Sequence, residues 1–532
     1  MRRYSWSLLS NDTGSVAPTV GLSLFALIAA GGIAFDYSRV AAMDTELQSA
    51  ADQGALAAAS QLDGNSGACA RAAAAAADLL ANQTVFANEA GSVKAITIAN
   101  ESTCDGTGSI QFYQSYDRNA DTFGPAATTD DDAKVVLVRV DSRQAFYALT
   151  PIVGAFSSGN IAGEAVASLG SAICKVPPVM MCNPAEPAAN TDVNFDYNPS
   201  EGEGLRLVIA APDAPGNFGF LQTGPKPGAK EVAKTLGYDN PPNGCVSTTG
   251  VTTEPGNMES VRAAFNTRFD ISENGALTCP DSGVCSSSRN SRKDLVRSTG
   301  CGLTTNTSKP DWHEALNPYR PTSATNPLAV DGSQDPEIMG YPRDMCHAIS
   351  LTGSCSGGIT GDGKWDIDAY FRVNYGWNRS QWTANVVDAD GNPLAPTAAD
   401  VPSVSRYDVY QWEMNNPTTT INTPKSVSGG FTSYSSPVCR AGITPGATTP
   451  DRRRISVAVV NCKAQNVNGK EKNVEVRKWL DVFLVEPAIK RANGTRTGDG
   501  DIYVEVIGET SSSGAGPVAG QVTRRDVPYL IR

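Results

Sequence analysis

Two histidines supply all the imidazole this 532-residue chain can bring to acid–base or metal chemistry. His313 is followed by Glu314, the opening of an H-E-x-x-H zinc-protease helix. The position four beyond it is Asn317, so two imidazoles cannot meet on one helical face. His313 and His347 are read as surface residues. Gly361-Asp362-Gly363-Lys364 lacks the preceding glycine spacing and the Ser or Thr of a phosphate loop, and no G-x-S-x-G nucleophile elbow occurs. Asp388, Asp390 and Asn392 place oxygen side chains on alternating positions around Gly391, but position twelve of an EF-hand count is Ala399, which offers no bidentate carboxylate. A hairpin turn is the assigned use, and Asp499-Gly500-Asp501 is read the same way. Asp362, Asp366 and Asp368 could join a cation site only if the fold brings them together. No catalytic residue, metal ligand or cofactor is assigned.

Cysteine is the other reactive side chain, and there are twelve, all following the one long apolar stretch. An even count without a C-x2-C pair points to disulfides in an oxidising compartment. Nearness in sequence suggests the local pairs Cys69 with Cys104, Cys174 with Cys182, Cys346 with Cys355 and Cys439 with Cys462. Cys245, Cys279, Cys285 and Cys301 have no unique arrangement. A formal charge of −12 argues against nucleic acid as a partner, since displacing counterions from phosphates needs a basic surface. No small-molecule substrate is indicated.

These side chains are positioned by whatever follows the apolar stretch, Val16 to Phe35, which runs about twenty residues without a charge. At about 1.5 Å per residue it matches a hydrocarbon core of about 30 Å. Arg2 and Arg3 precede it; Asp36, Asp44 and Glu46 follow with only Arg39 between. The positive-inside rule then keeps the N-terminus cytoplasmic and exports the rest. A cleaved signal peptide is the competing possibility, with small residues at Ala29, Ala30 and Gly31. Helical sequence continues past the span without proline. Val40, Met43, Leu47, Ala50 or Ala51, Gly54 and Ala58 fall at three- and four-residue steps on one face, suited to close packing against the chain's own domain, with pairing to another subunit as the alternative. From Ser15 to Leu62 such a helix would be roughly 70 Å long.

The run Gly14-Ser-Val-Ala-Pro18, the apolar span, Gly32-Ile-Ala-Phe-Asp-Tyr-Ser-Arg39 and Leu47-Gln-Ser-Ala-Ala-Asp-Gln-Gly-Ala-Leu-Ala-Ala-Ala59 resembles the N-terminal module of TadE/TadG-like proteins of the bacterial Tad (Flp) pilus-assembly system. The specific elements are the Asp-Tyr pair just beyond the span and the L-Q-x-A-A-D-x-x-A-L-A-A run. The resemblance implies a non-enzymatic component anchored in the inner membrane, whose periplasmic bulk contacts pilus-assembly or pilin proteins. Pilin-like cleavage after Gly14 would find Thr19 where a Glu normally stands. Members of the family often carry a von Willebrand A-type domain; its D-x-S-x-S site is absent, the nearest match being Asp36-Tyr-Ser38-Arg-Val40. Residues 214–221, 265–270, 451–462 and 479–488 resemble the C-terminal region of TadG-like proteins.

After a Gly/Ser break at 64–67, residues 68–86 read as a second helix. Residues 93–99, 109–116 and 133–141 read as strands, 144–154 as a short helix and 160–174 as a last strand. The expected architecture is α+β. A cytoplasmic N-terminus (1–15) leads into a transmembrane helix (16–35) and a pilin-like α+β domain (36–173). A hinge (174–182) marked by Pro177-Pro178 precedes a loop-rich, mainly β periplasmic domain (183–532) rich in Gly and Pro. Phe218, Phe220, Tyr375 and Trp377 are expected in cores. The function expected is a structural or accessory role in Tad pilus assembly. The alternatives are an anchored calcium-dependent or hydrolytic envelope protein, or a cleaved pseudopilin.

Overall fold

The computed structural model describes residues 16–63, 66–79, 83–84, 94–98, 103–117, 121–130, 132–174, 179–207, 214, 216–222, 226–240, 245–247, 250–254, 261–273, 275–280, 283–321, 328–329, 331–349, 355, 358–446, 449–489, 491, 501–510 and 523–532. Gly14, Asp499 and the side chain of Cys174 lie outside them. Two compact units emerge: residues 1–170 with 526–532, and residues 171–525.

The first unit is built on α1 (Val16–Ala59), 44 residues of uninterrupted helix. Pro18 sits in its first turn, where a missing N–H costs nothing, and the alanine-rich remainder has no breaker. Among the described residues α1 alone is long and apolar enough to cross a membrane. Its N-terminal half is exposed, whereas Asp36, Met43, Leu47, Ala50, Ala51, Gly54, Ala55, Ala58 and Ala59 are buried. That stripe packs on α2 (Ala68–Leu79) and on an antiparallel sheet of β1 (Ile110–Tyr113), β2 (Val135–Arg139) and β3 (Glu164–Cys174) in the order β1-β2-β3. Small side chains allow the close approach: a Cβ added to Gly163 would lie 2.2 Å from the carbonyl oxygen of Leu47. The expected short helix at 144–154 is a 3₁₀ turn, Thr150–Val153, within a hairpin arm. The C-terminal residues return to this unit, Ile531 donating to Val166 O at 2.7 Å.

The second unit centres on a six-stranded mixed sheet. Its strands are β4 (Val179–Cys182), β5 (Gly204–Leu207), β6 (Phe218–Phe220), β7 (Arg454–Val460), β8 (Lys478–Leu484) and β9 (Ile502–Glu509), in the order β6-β4-β7-β8-β9-β5. Alternation along the strands sends Val457, Val459, Leu480, Val482 and Val504 into one core, and Phe483 and Tyr503 into another. The second core is shared with α3 (Ile367–Tyr375) and α4 (Arg406–Asn415), so the sheet is covered on both faces.

The expected hinge at 174–182 is corrected at its end. Val179 to Cys182 are buried and form a strand, because the Val-Met-Met run finds parallel partners on β7. Two expected disulfides are corrected with it. The register sets Cys182 beside Val460, so its bond goes to Cys462, while the backbone of Cys174 lies in β3 opposite Cys245. Cys439 bonds not Cys462 but Cys301. Asp270 captures the amides of Val438, Cys439 and Arg440, and Ser272 N donates to Cys301 O at 2.7 Å, so both cysteines are drawn to one place. Cys69 bonds Cys104, Cys346 bonds Cys355 and Cys279 bonds Cys285. Sheet register and a buried carboxylate override nearness in sequence. Peptide mapping without reduction should recover Cys182–Cys462 and Cys301–Cys439; a linked Cys439–Cys462 peptide would contradict the register.

Candidate functional site

The residues singled out for chemistry do not assemble into a reactive centre. His313 and His347 are not surface residues, a correction to the expectation: they are 1 % and 0 % exposed. His313 is in a two-residue strand, its Nδ1 lying 2.7 Å from Glu314 O and its ring edge-on to Phe431. His347 follows Cys346 in a one-turn helix, and its Nδ1 lies 2.8 Å from the hydroxyl of Tyr503 on β9. Sequence reasoning missed their burial because each sits in a short element without periodicity. Cys346 and Cys355 flank His347, and Cys69 and Cys104 lie beside Asp130, but each cysteine pair is a disulfide and has no thiolate to give a metal.

The aspartates serve local structure. Asp388 Oδ1 accepts from the amides of Asp390 and Asn392 at 2.9 and 2.8 Å, and Val387 bridges Pro393, which makes this a closed turn. Asp366 caps α3 through Ala369 N, Asp368 takes Arg379 and Trp382, and Asp362 accepts from Lys364 N at 3.3 Å, so these three work separately. Asp501 pairs with Arg206 at 3.1 Å. Phe218 and Phe220 are core residues. Tyr375 and Trp377 pack against Phe371 and Trp412 at the wall of a cleft of about 350 Å³ that Lys425 also borders.

Within the second unit, carboxylates are buried in saturated networks. Arg406 joins Asp344 and Glu505 with all three side chains buried. Glu413 accepts from Asn290, Tyr341, Tyr370 and Tyr375 at 2.5 to 2.6 Å and pairs with Arg292. With their oxygens committed to fixed donors, these groups hold the fold and have little capacity for substrate.

The first unit carries a different arrangement, at the end of the apolar run. Asp36 is 2 % exposed although it sits on the helix face just past Phe35. Its carboxylate accepts from the amides of Ala148, Leu149 and Thr150 at 2.8, 2.9 and 2.7 Å and from the Thr150 hydroxyl at 2.7 Å. These amides open the 3₁₀ turn Thr150–Val153 and make a ready anion site. Burial by itself would raise the pKa of Asp36. The Thr150 hydroxyl and the three amides outweigh it and hold the carboxyl well below the usual range. A Cβ on Gly32, one turn earlier, would meet Leu149 Cβ at 3.0 Å. Farther along the same face, Gln48 clasps the start of β3, its Nε2 donating to Glu164 O at 2.9 Å and its Oε1 facing Glu164 N at 3.4 Å. The same Nε2 donates to Asp52 at 2.9 Å. Every polar member of the pattern Asp-Tyr … L-Q-x-A-A-D except Tyr37, which is exposed, thus ties the helix to itself or to its sheet.

Residues 14–61 match the Tad family model, that of TadE/G-like Flp pilus assembly. No curated protein and no solved structure matches the chain. The matched segment covers α1 and the turn after it, and the side chains it contributes serve docking within the unit: one buried carboxylate, one amide clasp and a stripe of small residues.

Two outcomes follow. Asp36→Ala leaves the buried amide and hydroxyl of Thr150 and the part-buried amides of Ala148 and Leu149 without an acceptor and should cost the first unit roughly 2–4 kcal/mol. Hydrogen exchange should show the 144–158 arm losing protection while α2 keeps it. Because the folded-state pKa is depressed, this contribution is present at neutral pH and is lost only as pH falls below about 4. For His347, burial outweighs the nearby Asp344 charge and lowers the pKa from 6.5 to about 4. Below pH 6.5 the unfolded chain takes up a proton that the folded one refuses, so stability falls with pH between 6.5 and about 4. Denaturant titrations of native protein and His347→Asn across that window should differ in slope, with up to about 3 kcal/mol at stake.

Proposed function

We propose that this protein is a membrane-anchored structural or accessory component of Tad (Flp) pilus assembly, acting through contacts of its periplasmic units with pilin or pilus-assembly proteins and catalysing no reaction. The observation that carries this is the Tad family match over residues 14–61, which falls on a single helix running from an apolar, exposed half into the core of an α+β unit. A helix laid on an antiparallel sheet with its apolar end projecting is also the outline of a pilin, and the first unit is read as pilin-like on that basis. Orientation follows from Arg2 and Arg3 before the span and the acids after it: the N-terminus is cytoplasmic, and everything beyond Asp36 is periplasmic. An oxidising compartment agrees with disulfides in both units.

A reporter active only in the periplasm, fused after Ile173, should be active; activity only in the cytoplasm would overturn the topology. In a strain that assembles Tad pili with this protein, replacing residues 1–35 by a cleavable signal peptide should restore export but rescue assembly only weakly. Full rescue would show that the apolar helix serves delivery alone.

A further inference from the structure

The arm that clamps Asp36 is itself built to meet a lipid surface. It is a hairpin in which Arg143 and Ile161 exchange backbone hydrogen bonds at 2.8 Å and Tyr147 N donates to Phe156 O at 3.0 Å. Between Arg143 and Glu164 there is no charged residue, in a chain that is 18% charged overall. The tip instead exposes Phe146, Leu149 and Phe156, at 43 %, 52 % and 67 %. On a surface facing only water, such a cluster has no compensation.

Its position supplies the occupant. Leu149 lies against Gly32, inside the apolar run 16–35, and the amides of residues 148–150 hold Asp36 one turn farther on. The interval from Gly32 to Asp36 is about 6 Å along the axis. A bilayer that covers the last turn of the run must therefore also reach the tip of the hairpin. At the same level α1 exposes Ile33, Phe35 and Tyr37, at 49 %, 51 % and 73 %, so helix and hairpin together present one apolar, aromatic rim. Aromatic and apolar side chains favour this boundary between headgroup and acyl chain. The charge of Asp36, the one acid in the rim, is satisfied inward by its four donors.

We propose that the hairpin tip, residues 146–156, dips into the interfacial layer of the membrane that α1 crosses, giving the first unit a second lipid contact and fixing its tilt against the bilayer. The proposal rests on the membrane-anchored reading of α1. The full-length protein, reconstituted without reduction into phosphatidylcholine vesicles, tests it. Single variants Leu27→Cys, Phe156→Cys and Ser60→Cys are nitroxide-labelled, and the ratio of oxygen to water-soluble nickel-chelate accessibility is measured. Leu27 is the marker for the span, and exposed Ser60, beyond the far end of α1, is the marker for water. The expected result is a ratio at 156 severalfold above that at 60 and approaching that at 27. A membrane-like value at 27 with a water-like value at 156 would overturn the inference and leave the anchor standing. Water-like values at both would overturn the anchor itself. Phe156 is exposed, so its replacement leaves the packing of the unit untouched.

Discussion

A buried, fully hydrogen-bonded carboxylate sets the geometry of the first unit. Asp36 directly follows the apolar run of α1 and is buried, and an unpaired charge there would be expensive. Three amides and a hydroxyl from one turn satisfy it. The rotation of the helix is therefore fixed at the end of the apolar run: Asp36 faces the hairpin, Gly32 sits under Leu149, and the stripe from Met43 to Ala59 is committed to α2 and the sheet. Had the same helix ended in a flexible linker, its exit would carry no orientation. A continuous helix clamped in this way carries the orientation of its apolar half into the packed part of the unit.

The larger unit solves a different problem with similar means. Its body is rich in loops, and loops leave carbonyls without partners. Arg268, Arg452 and Arg453 are fully buried and spend their guanidinium hydrogens on carbonyls at the ends of a strand and a helix and in the loops beside them: Arg453 on Leu484 and Val485, Arg268 on Leu236 and Arg452, Arg452 on Gly237 and Ser286. Arg453 also lies against the rings of Phe269, Tyr341 and Phe483. Disulfides closing 280 and 138 residues of chain add cross-links where loop-closure entropy is large. Hydrogen-bonded cations and covalent ties together hold these cores.

How much of this could be read in advance depended on periodicity. The helix from Val16, the start of the second helix after the Gly/Ser break and the strands around Phe112, Leu137 and Val166 follow from runs long enough to carry a 3.6- or two-residue repeat, but the second helix, expected to reach residue 86, ends at Leu79, and Gln83–Thr84 form a short strand. The stripe from Val40 to Ala58 was legible in outline: Met43, Leu47, Gly54 and Ala58 are buried as expected and Val40 partly so, while Ala50 and Ala51 are both buried and Ala55 and Ala59 join them. The role of Asp36 was only half legible: its place after the span marked it as part of a family pattern, but its donors lie more than a hundred residues away. Long-range pairing was the main loss. Nothing local announces that Cys182 sits beside β7, that Asp270 gathers the loop at Cys439, or that Val179 begins a strand rather than a hinge. His313 and His347 were misplaced for the same reason, since a buried imidazole in a two-residue strand or a one-turn helix leaves no repeat to read.

The central claim, that the apolar helix remains part of the working protein and continues into its first folded unit, is tested most directly by the mass of the mature N-terminus. Protein purified from the membrane fraction should yield N-terminal peptides containing residues 16–35 intact. A mature chain beginning near Gly31, or at Ser15 after cleavage at Gly14, would contradict a simple retained anchor: the first outcome would leave a secreted protein, the second a processed, pilin-like subunit.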